Sequence, residues 1–92
     1  MTVVVLVPGA LRGETGGQGR IEVPAAATLD AVLDELGRSW PRLERRIRDE
    51  RGVIRRYVNV YINGEDHRAL AGAHSPVPDG AEIQVLPSVA GG

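Results

Sequence analysis

One stretch of the 92 residues has the spacing of an amphipathic helix strong enough to organise a fold. Leu29, Val32, Leu33 and Leu36 fall at i, i+3, i+4 and i+7. Thr28 stands where an N-cap is needed, Asp30 occupies the first turn, and Gly37 predicts the C-terminal stop. A helix with a single apolar stripe cannot bury that stripe alone. The segments around it are short and alternate polar with apolar residues, so the stripe is expected to lie on a sheet.

Thr2 to Val7 is a β-branched run closed by Pro8-Gly9, which predicts a first strand. Residues 9–19 (GALRGETGGQG) hold five glycines and few anchors and are expected to form a loop or a wide hairpin connection. Arg20 to Val23 alternates before Pro24 and predicts a second strand. A shorter helix is expected from Trp40 or Pro41 to about Glu50, with Trp40, Leu43 and Ile47 inward and Gly52 ending it. Tyr57 to Ile62 alternates cleanly and runs into Asn63-Gly64, the strongest short signal for a type I′ hairpin. Glu65 to Arg68 is then a short polar edge strand, residues 69–80 are turn-rich, and Glu82 to Leu86 is a last strand stopped by Pro87. The order β-β-α-(α)-β-β-β describes an α+β protein of the β-grasp (ubiquitin-like) kind. It implies a mixed sheet of four to five strands packed on one main helix, with a second short helix. Residues 1–87 are expected to form the domain and 88–92 a flexible diglycine tail.

Composition removes most catalytic chemistry. The chain has no Cys, hence no disulfide, thiolate nucleophile or zinc–thiolate site, and all 11 basic residues are Arg, so there is no lysine for a Schiff base or a phosphate loop. A formal net charge of -1 argues against general binding to nucleic acid or an anionic membrane. No apolar run approaches the roughly 20 residues of a membrane span, and MTVVVLVPGA lacks the basic flank of a signal peptide; a cytoplasmic protein is expected.

The remaining candidates weigh unequally. The glycine-rich run from Gly13 to Gly19 lacks the Lys-Ser/Thr of a phosphate loop and precedes a strand, so it reads as a connection. His67 and His74 have no cysteine and one neighbouring carboxylate, Asp66, which is too little for a metal site. Residues 42–56 carry seven Arg against three acids, an excess of four positive charges. A solvated face with pairs such as Arg46–Asp49 or Arg46–Glu50 ranks first, a docking patch for an acidic partner second, nucleic acid a distant third. Tyr57, Asn59 and Tyr61 should share one sheet face opposite Val58, Val60 and Ile62. They either cover neighbours or anchor an interface.

The last residues differ in kind. Ser88-Val89-Ala90-Gly91-Gly92 carries no charged side chain and little to pack, and five extended residues reach roughly 16–18 Å. Glycines without Cβ atoms pass a narrow channel. The run Asp79-Gly80-Ala81-Glu82-Ile83-Gln84-Val85-Leu86-Pro87 followed by Ser88 to Gly92 resembles the terminal signature of the MoaD/ThiS ubiquitin-like sulfur carriers. The resemblance covers nearly the whole chain. Within the family it is nearest the CysO-type carriers of cysteine biosynthesis, through Leu11-Arg12, Thr15-Gly16-Gly17-Gln18, Tyr57 to Asn63 and Val89-Ala90-Gly91-Gly92.

The resemblance implies a carrier rather than an enzyme. An E1-like adenylyltransferase would activate the Gly92 carboxylate with ATP, a sulfur donor would displace AMP, and the resulting thiocarboxylate would be the nucleophile for a sulfur-accepting synthase. In the CysO-type branch that synthase is cysteine synthase-like and a metalloprotease releases the product. Gly92 carries the chemistry, Gly91 admits it to the partner's site, and Ala90, Val89, Pro87, Leu86 and Tyr61 are expected to contact partners. No cofactor or metal is expected on this chain, which is expected to be monomeric when free and to bind neither nucleic acid nor membrane. The small subunit of molybdopterin synthase, sulfur supply to a secondary-metabolite pathway in which one carrier serves several enzymes, a ubiquitin-like protein modifier and a plain β-grasp binding module are the alternatives.

Overall fold

The computed structural model describes residues 1–87. Strands β1 (Thr2–Leu6) and β2 (Arg20–Pro24) are followed by helices α1 (Leu29–Ser39) and α2 (Pro41–Ile47). Strands β3 (Val58–Ile62), β4 (Glu65–Asp66) and β5 (Glu82–Pro87) complete the order. The five strands form one sheet in the order β2-β1-β5-β3-β4. β1 pairs with β5 in parallel, and every other pair is antiparallel. This is the mixed five-stranded β-grasp sheet that the element order implies. Opposed residues Val3–Val23, Val5–Ile21, Val5–Ile83, Val60–Val85 and Ile62–Ile83 all point to the covered face. Leu29, Val32, Leu33 and Leu36 of α1, each fully buried, fill that face from the other side.

Helix α1 starts as expected: the Thr28 hydroxyl accepts from the Ala31 N–H at 3.2 Å. It does not stop at Gly37 but runs to Ser39 and ends at Trp40, whose φ of -131° and ψ of 63° lie outside the helical range. The physical reason is Pro41, which disfavours a helical conformation at the preceding residue and then opens α2 from its first position. Gly37 serves a different purpose. A Cβ there would lie 3.2 Å from Cγ of Glu44, so its bare backbone lets the two helices approach closely.

Helix α2 is shorter than the sequence suggests, ending at Ile47 instead of near Glu50, because Arg48 leaves the helix with φ -119° and ψ 152°. Its guanidinium turns under α1. Nε meets Glu44 Oε2 at 2.8 Å, Nη1 meets Asp30 Oδ1 at 3.2 Å, and Nη2 meets Asp34 Oδ1 at 2.8 Å. Arg48 is only 6% exposed. Burial alone would lower its pKa, but the bonds to Asp34 and Glu44 outweigh that and raise it. The Arg-rich stretch is therefore not wholly a solvated face. Neither expected Arg46 pair forms: Arg46 meets Glu14 at 3.7 Å, and Asp49 binds Arg51 at 2.7 Å.

Two loops also depart from expectation. Residues Gly9–Thr15 form a 3-10 helix rather than an open connection, because Leu11 is an apolar anchor that packs into the core. The Thr15 hydroxyl donates to the Gln18 carbonyl at 2.7 Å, which closes this turn on itself. The Asn63-Gly64 hairpin forms with φ of 50° and 87°, as a type I′ turn demands, but the returning strand stops at Asp66. His67 turns inward into a short 3-10 segment and donates from Nδ1 to the Val60 carbonyl at 3.1 Å.

Arg48→Ala is expected to lower the unfolding free energy by about 2 kcal/mol, because three carboxylates lose one shared donor. The loss stays below that of a fully buried pair because Asp30 and Asp34 keep 40% and 70% side-chain exposure. Urea denaturation measures it, and Arg48→Lys should recover only part, since an ammonium lacks the planar fork.

Asp49 gives a pH prediction. The Arg51 side chain, helped by the N–H groups of Val53 and Arg51, holds its carboxyl at about 2, against 3.8 for a free one. A depressed folded pKa adds stability that is complete above the unfolded value and is lost as pH falls through the folded one. The gap in urea midpoint between the wild type and Asp49→Asn should therefore shrink between about pH 4 and about pH 2.

Candidate functional site

The structural candidate is the end of β5, where the central strand leaves the sheet. Strand β5 is held on both sides: Glu82–Gln84 pair with Val4–Leu6, and Ile83–Pro87 pair with Ile62–Val58. Its inward residues Ile83 and Val85 are buried, and its outward residues Glu82, Gln84 and Leu86 are exposed. The last described residue, Pro87, lies opposite Val58, the first residue of β3.

The outer face around this exit is partly apolar. Gln84 stands opposite Leu6 on one side and Tyr61 on the other, and Leu86 is opposite Asn59. Leu86 is thus diagonal to both Leu6 and Tyr61, roughly 7–8 Å away by strand geometry and within reach of large side chains. Val4, Leu6, Asn59 and Tyr61 are half-buried, and Leu86 is 37% exposed. Asn59 is fixed by the Arg68 guanidinium, which donates to its Oδ1 and also binds Asp66 at 3.2 Å. Hydrogen bonds from Arg68, first its backbone N–H, hold the Asp66 carboxyl below the usual carboxylate range.

Beside the exit lies a groove of about 210 Å³, bounded by Leu6, Val7, Pro8, Arg12, Gly19, Gln84, Val85 and Leu86. Arg12 reaches it because the 3-10 turn aims its side chain back at β1, where Nε donates to the Val7 carbonyl at 2.9 Å. Gly19 makes room for this: a Cβ would lie 2.8 Å from the Arg12 guanidinium.

The structure places two of the sequence-derived residues, Tyr61 and Leu86, on the same outer face, whereas Pro87, opposite buried Val58, falls on the alternate side at the end of the strand. Val89, Ala90, Gly91 and Gly92, and the division of the chain at 87/88, lie outside the described residues. Tyr57 does not join Tyr61 on the strand; it precedes β3 and is 54% exposed. Sequence reasoning missed Val4, Leu6 and Arg12. The unbroken apolar run from Val3 to Val7 hides which residues face outward, and only the β1–β5 register separates them. Among the described residues no cluster of three His or carboxylate groups is arranged for a metal ion, and no helix is long and apolar enough to cross a membrane.

Comparison with known proteins adds independent findings. Residues 5–92 match the model of the ThiS family. A curated protein of Mycobacterium tuberculosis, sulfur carrier protein CysO, is 37% identical over 94 residues, covering 100% of both chains. Small archaeal modifier protein 1 of Haloferax volcanii is 33% identical over 73 residues, covering 79% of each. Among solved structures, a chain of the Amycolatopsis orientalis BexX/CysO complex superposes with a TM-score of 0.87 and 36% identity, over 98% of this chain and 99% of that one.

The two faces of β5 should separate in stability measurements. Leu86→Ala is expected to cost less than about 1 kcal/mol, and Val85→Ala, which empties a core position one residue away, about 2 kcal/mol. Equal losses in urea denaturation would show that Leu86 belongs to the core.

Proposed function

The chain belongs to the ThiS family, and on that premise we propose that it is a sulfur carrier whose reactive group is the carboxyl carbon of Gly92. The single observation that carries this reading is a match running from β1 through the diglycine at residues 91 and 92. It is joined by 37% identity, over the full length, to a protein described as a sulfur carrier.

The chemistry follows from what a carboxylate lacks. It is a poor electrophile, so an E1-like partner first lets its oxygen attack the α-phosphorus of ATP, expelling pyrophosphate and leaving an acyl adenylate. Sulfide-level sulfur then attacks the carbonyl carbon, AMP departs with the C–O electron pair, and a thiocarboxylate remains. This group is a strong nucleophile. On a cysteine synthase-like enzyme its sulfur would replace the activating group at the β-carbon of a serine derivative, that group departing with its bonding electrons. The acyl group of the resulting thioester would move to the amino nitrogen, and a metalloprotease would hydrolyse that amide to free cysteine and restore the carboxylate. ATP and its metal stay with the partner, and this chain supplies no cofactor of its own. Gly91 and Gly92 offer no Cβ to a narrow channel, while Leu86 and Tyr61 give the receiving protein a surface to hold and Pro87 ends the strand beside them. A neighbour crystallised as a BexX/CysO complex supports a protein partner for this fold. The carrier is read as cytoplasmic.

A second reading has its own support in the likeness to a small archaeal modifier protein: amide conjugation of Gly92 to target amines. The absence of lysine from the 92 residues would then leave no side-chain amine here for chain building.

Intact-mass spectrometry of the protein from its native host decides between them. Replacement of one terminal oxygen by sulfur supports the carrier, and an amide-linked conjugate supports the modifier. If the carboxyl form persists with ATP, sulfide and the host's E1-like enzyme, the carrier reading fails. Deleting Gly92 should abolish thiocarboxylation and leave the urea midpoint unchanged, because among the described residues the buried core lies at or before Val85.

A further inference from the structure

A second surface lies next to the same exit. The segment from Asp49 to Tyr57 bounds a cleft of about 440 Å³, with Val53 51% and Tyr57 54% exposed at its margins. Few large apolar side chains stand that open in the described residues, and these two flank Arg55 and Arg56 in the chain.

The charge here is not balanced internally. Of the seven arginines in residues 42–56, Arg48 is buried among carboxylates, Arg46 meets Glu14, and Arg51 is tied to Asp49. Arg55 spends its Nε on the Arg45 carbonyl at 3.0 Å, which fixes its position without neutralising it. Among the described residues, Arg42, Arg45, Arg55 and Arg56 form no ion pair, and Glu50 is the nearby acid left to offset them.

The location gives this surface a use. The Val58 N–H bonds the Arg55 carbonyl at 2.9 Å, so the turn at 55–58 delivers the chain into β3, and Val58 is the residue opposite Pro87. The cleft therefore begins about one strand spacing, roughly 5 Å, from the point where β5 ends. A protein that binds at the end of β5 would therefore have this cleft within its reach.

We propose that the cleft between Val53 and Tyr57, rimmed by Arg55 and Arg56, docks an acidic, apolar-tipped loop on the protein that receives the carrier's terminus. The proposal rests on the carrier reading for the identity of that partner. Its chemistry comes from charge complementarity: uncompensated guanidinium groups want carboxylates, and Val53 and Tyr57 want an aliphatic or aromatic tip between them. A nucleic acid fits less well, because Tyr57 is the one aromatic ring lining the cleft and the whole chain carries a net charge of -1.

The test has two arms on the full chain. In the first, the ¹⁵N-labelled protein is titrated with a capped peptide of alternating Glu and Leu. The amides of Val53 to Tyr57 should shift, and affinity should fall about tenfold between about 50 mM and about 300 mM salt. Arg55→Glu with Arg56→Glu should abolish the shifts. Arg55→Gln with Arg56→Gln should weaken them if the charge reversal disturbs folding. Shifts confined to Leu6, Tyr61 and Leu86, no shifts, or tighter binding of a single-stranded oligothymidine would overturn the proposal.

In the second arm, the native E1-like enzyme is assayed with each variant. The charge reversal should raise KM for the carrier about tenfold and leave kcat unchanged, and an unchanged KM would overturn the docking role. If the wild type acquires no sulfur at all, the carrier reading fails instead, and the peptide titration still reports on the cleft.

Discussion

Parallel pairing of β1 with β5 is the constraint on which the rest of the molecule depends. Neighbouring parallel strands cannot be joined by a tight turn, so the chain between them must cross over the sheet. Here everything from β2 to β4 lies in that crossover, with α1 covering the buried face. The result places the last strand in the middle of the sheet, with β1 and β2 on one side and β3 and β4 on the other. The end of the described chain thus belongs to the best-supported strand of the fold.

The two helices are fastened to this scaffold by opposite means. The stripe of α1 is purely apolar and would tolerate small rotations. Arg48 removes that freedom, because one guanidinium addresses two carboxylates on α1 and one on α2 at once. Directional bonds of this kind add geometric definition where hydrophobic contact alone supplies only area. By ending α2 early, the same residue also shapes the loop from Asp49 to Tyr57. The interior of the fold and its basic rim are in this sense set by one side chain.

How much of this the sequence discloses depends on the range of the interaction. The α1 stripe, its Thr28 cap and the Asn63-Gly64 hairpin are local patterns, and each is legible within a few residues. Gly37 is misread because a helix stop and a helix–helix contact call for the same residue, and only the position of Glu44 separates them. Arg48 is illegible as a buried group because two of its partners lie 14 and 18 residues away and meet it only in the folded state. The candidate site is legible in a different way. Tyr61 and Leu86 follow from strand alternation, whereas the role proposed for Gly92 comes from likeness to a family and from no pattern of burial or charge. The outward position of Leu6 required the register of two strands whose partners, Leu6 and Gln84, are 78 residues apart, of which no local window gives a hint.

The double pairing of β5 also has a mechanical meaning. A partner that grips the residues beyond Pro87 pulls along the axis of a strand bonded to both β1 and β3. Such a load shears many cross-strand hydrogen bonds together, where an edge strand peeled sideways would lose them one after another. Tension applied at the carboxyl end is therefore distributed over the whole sheet. Under such a load the domain would give way as a unit and not strand by strand.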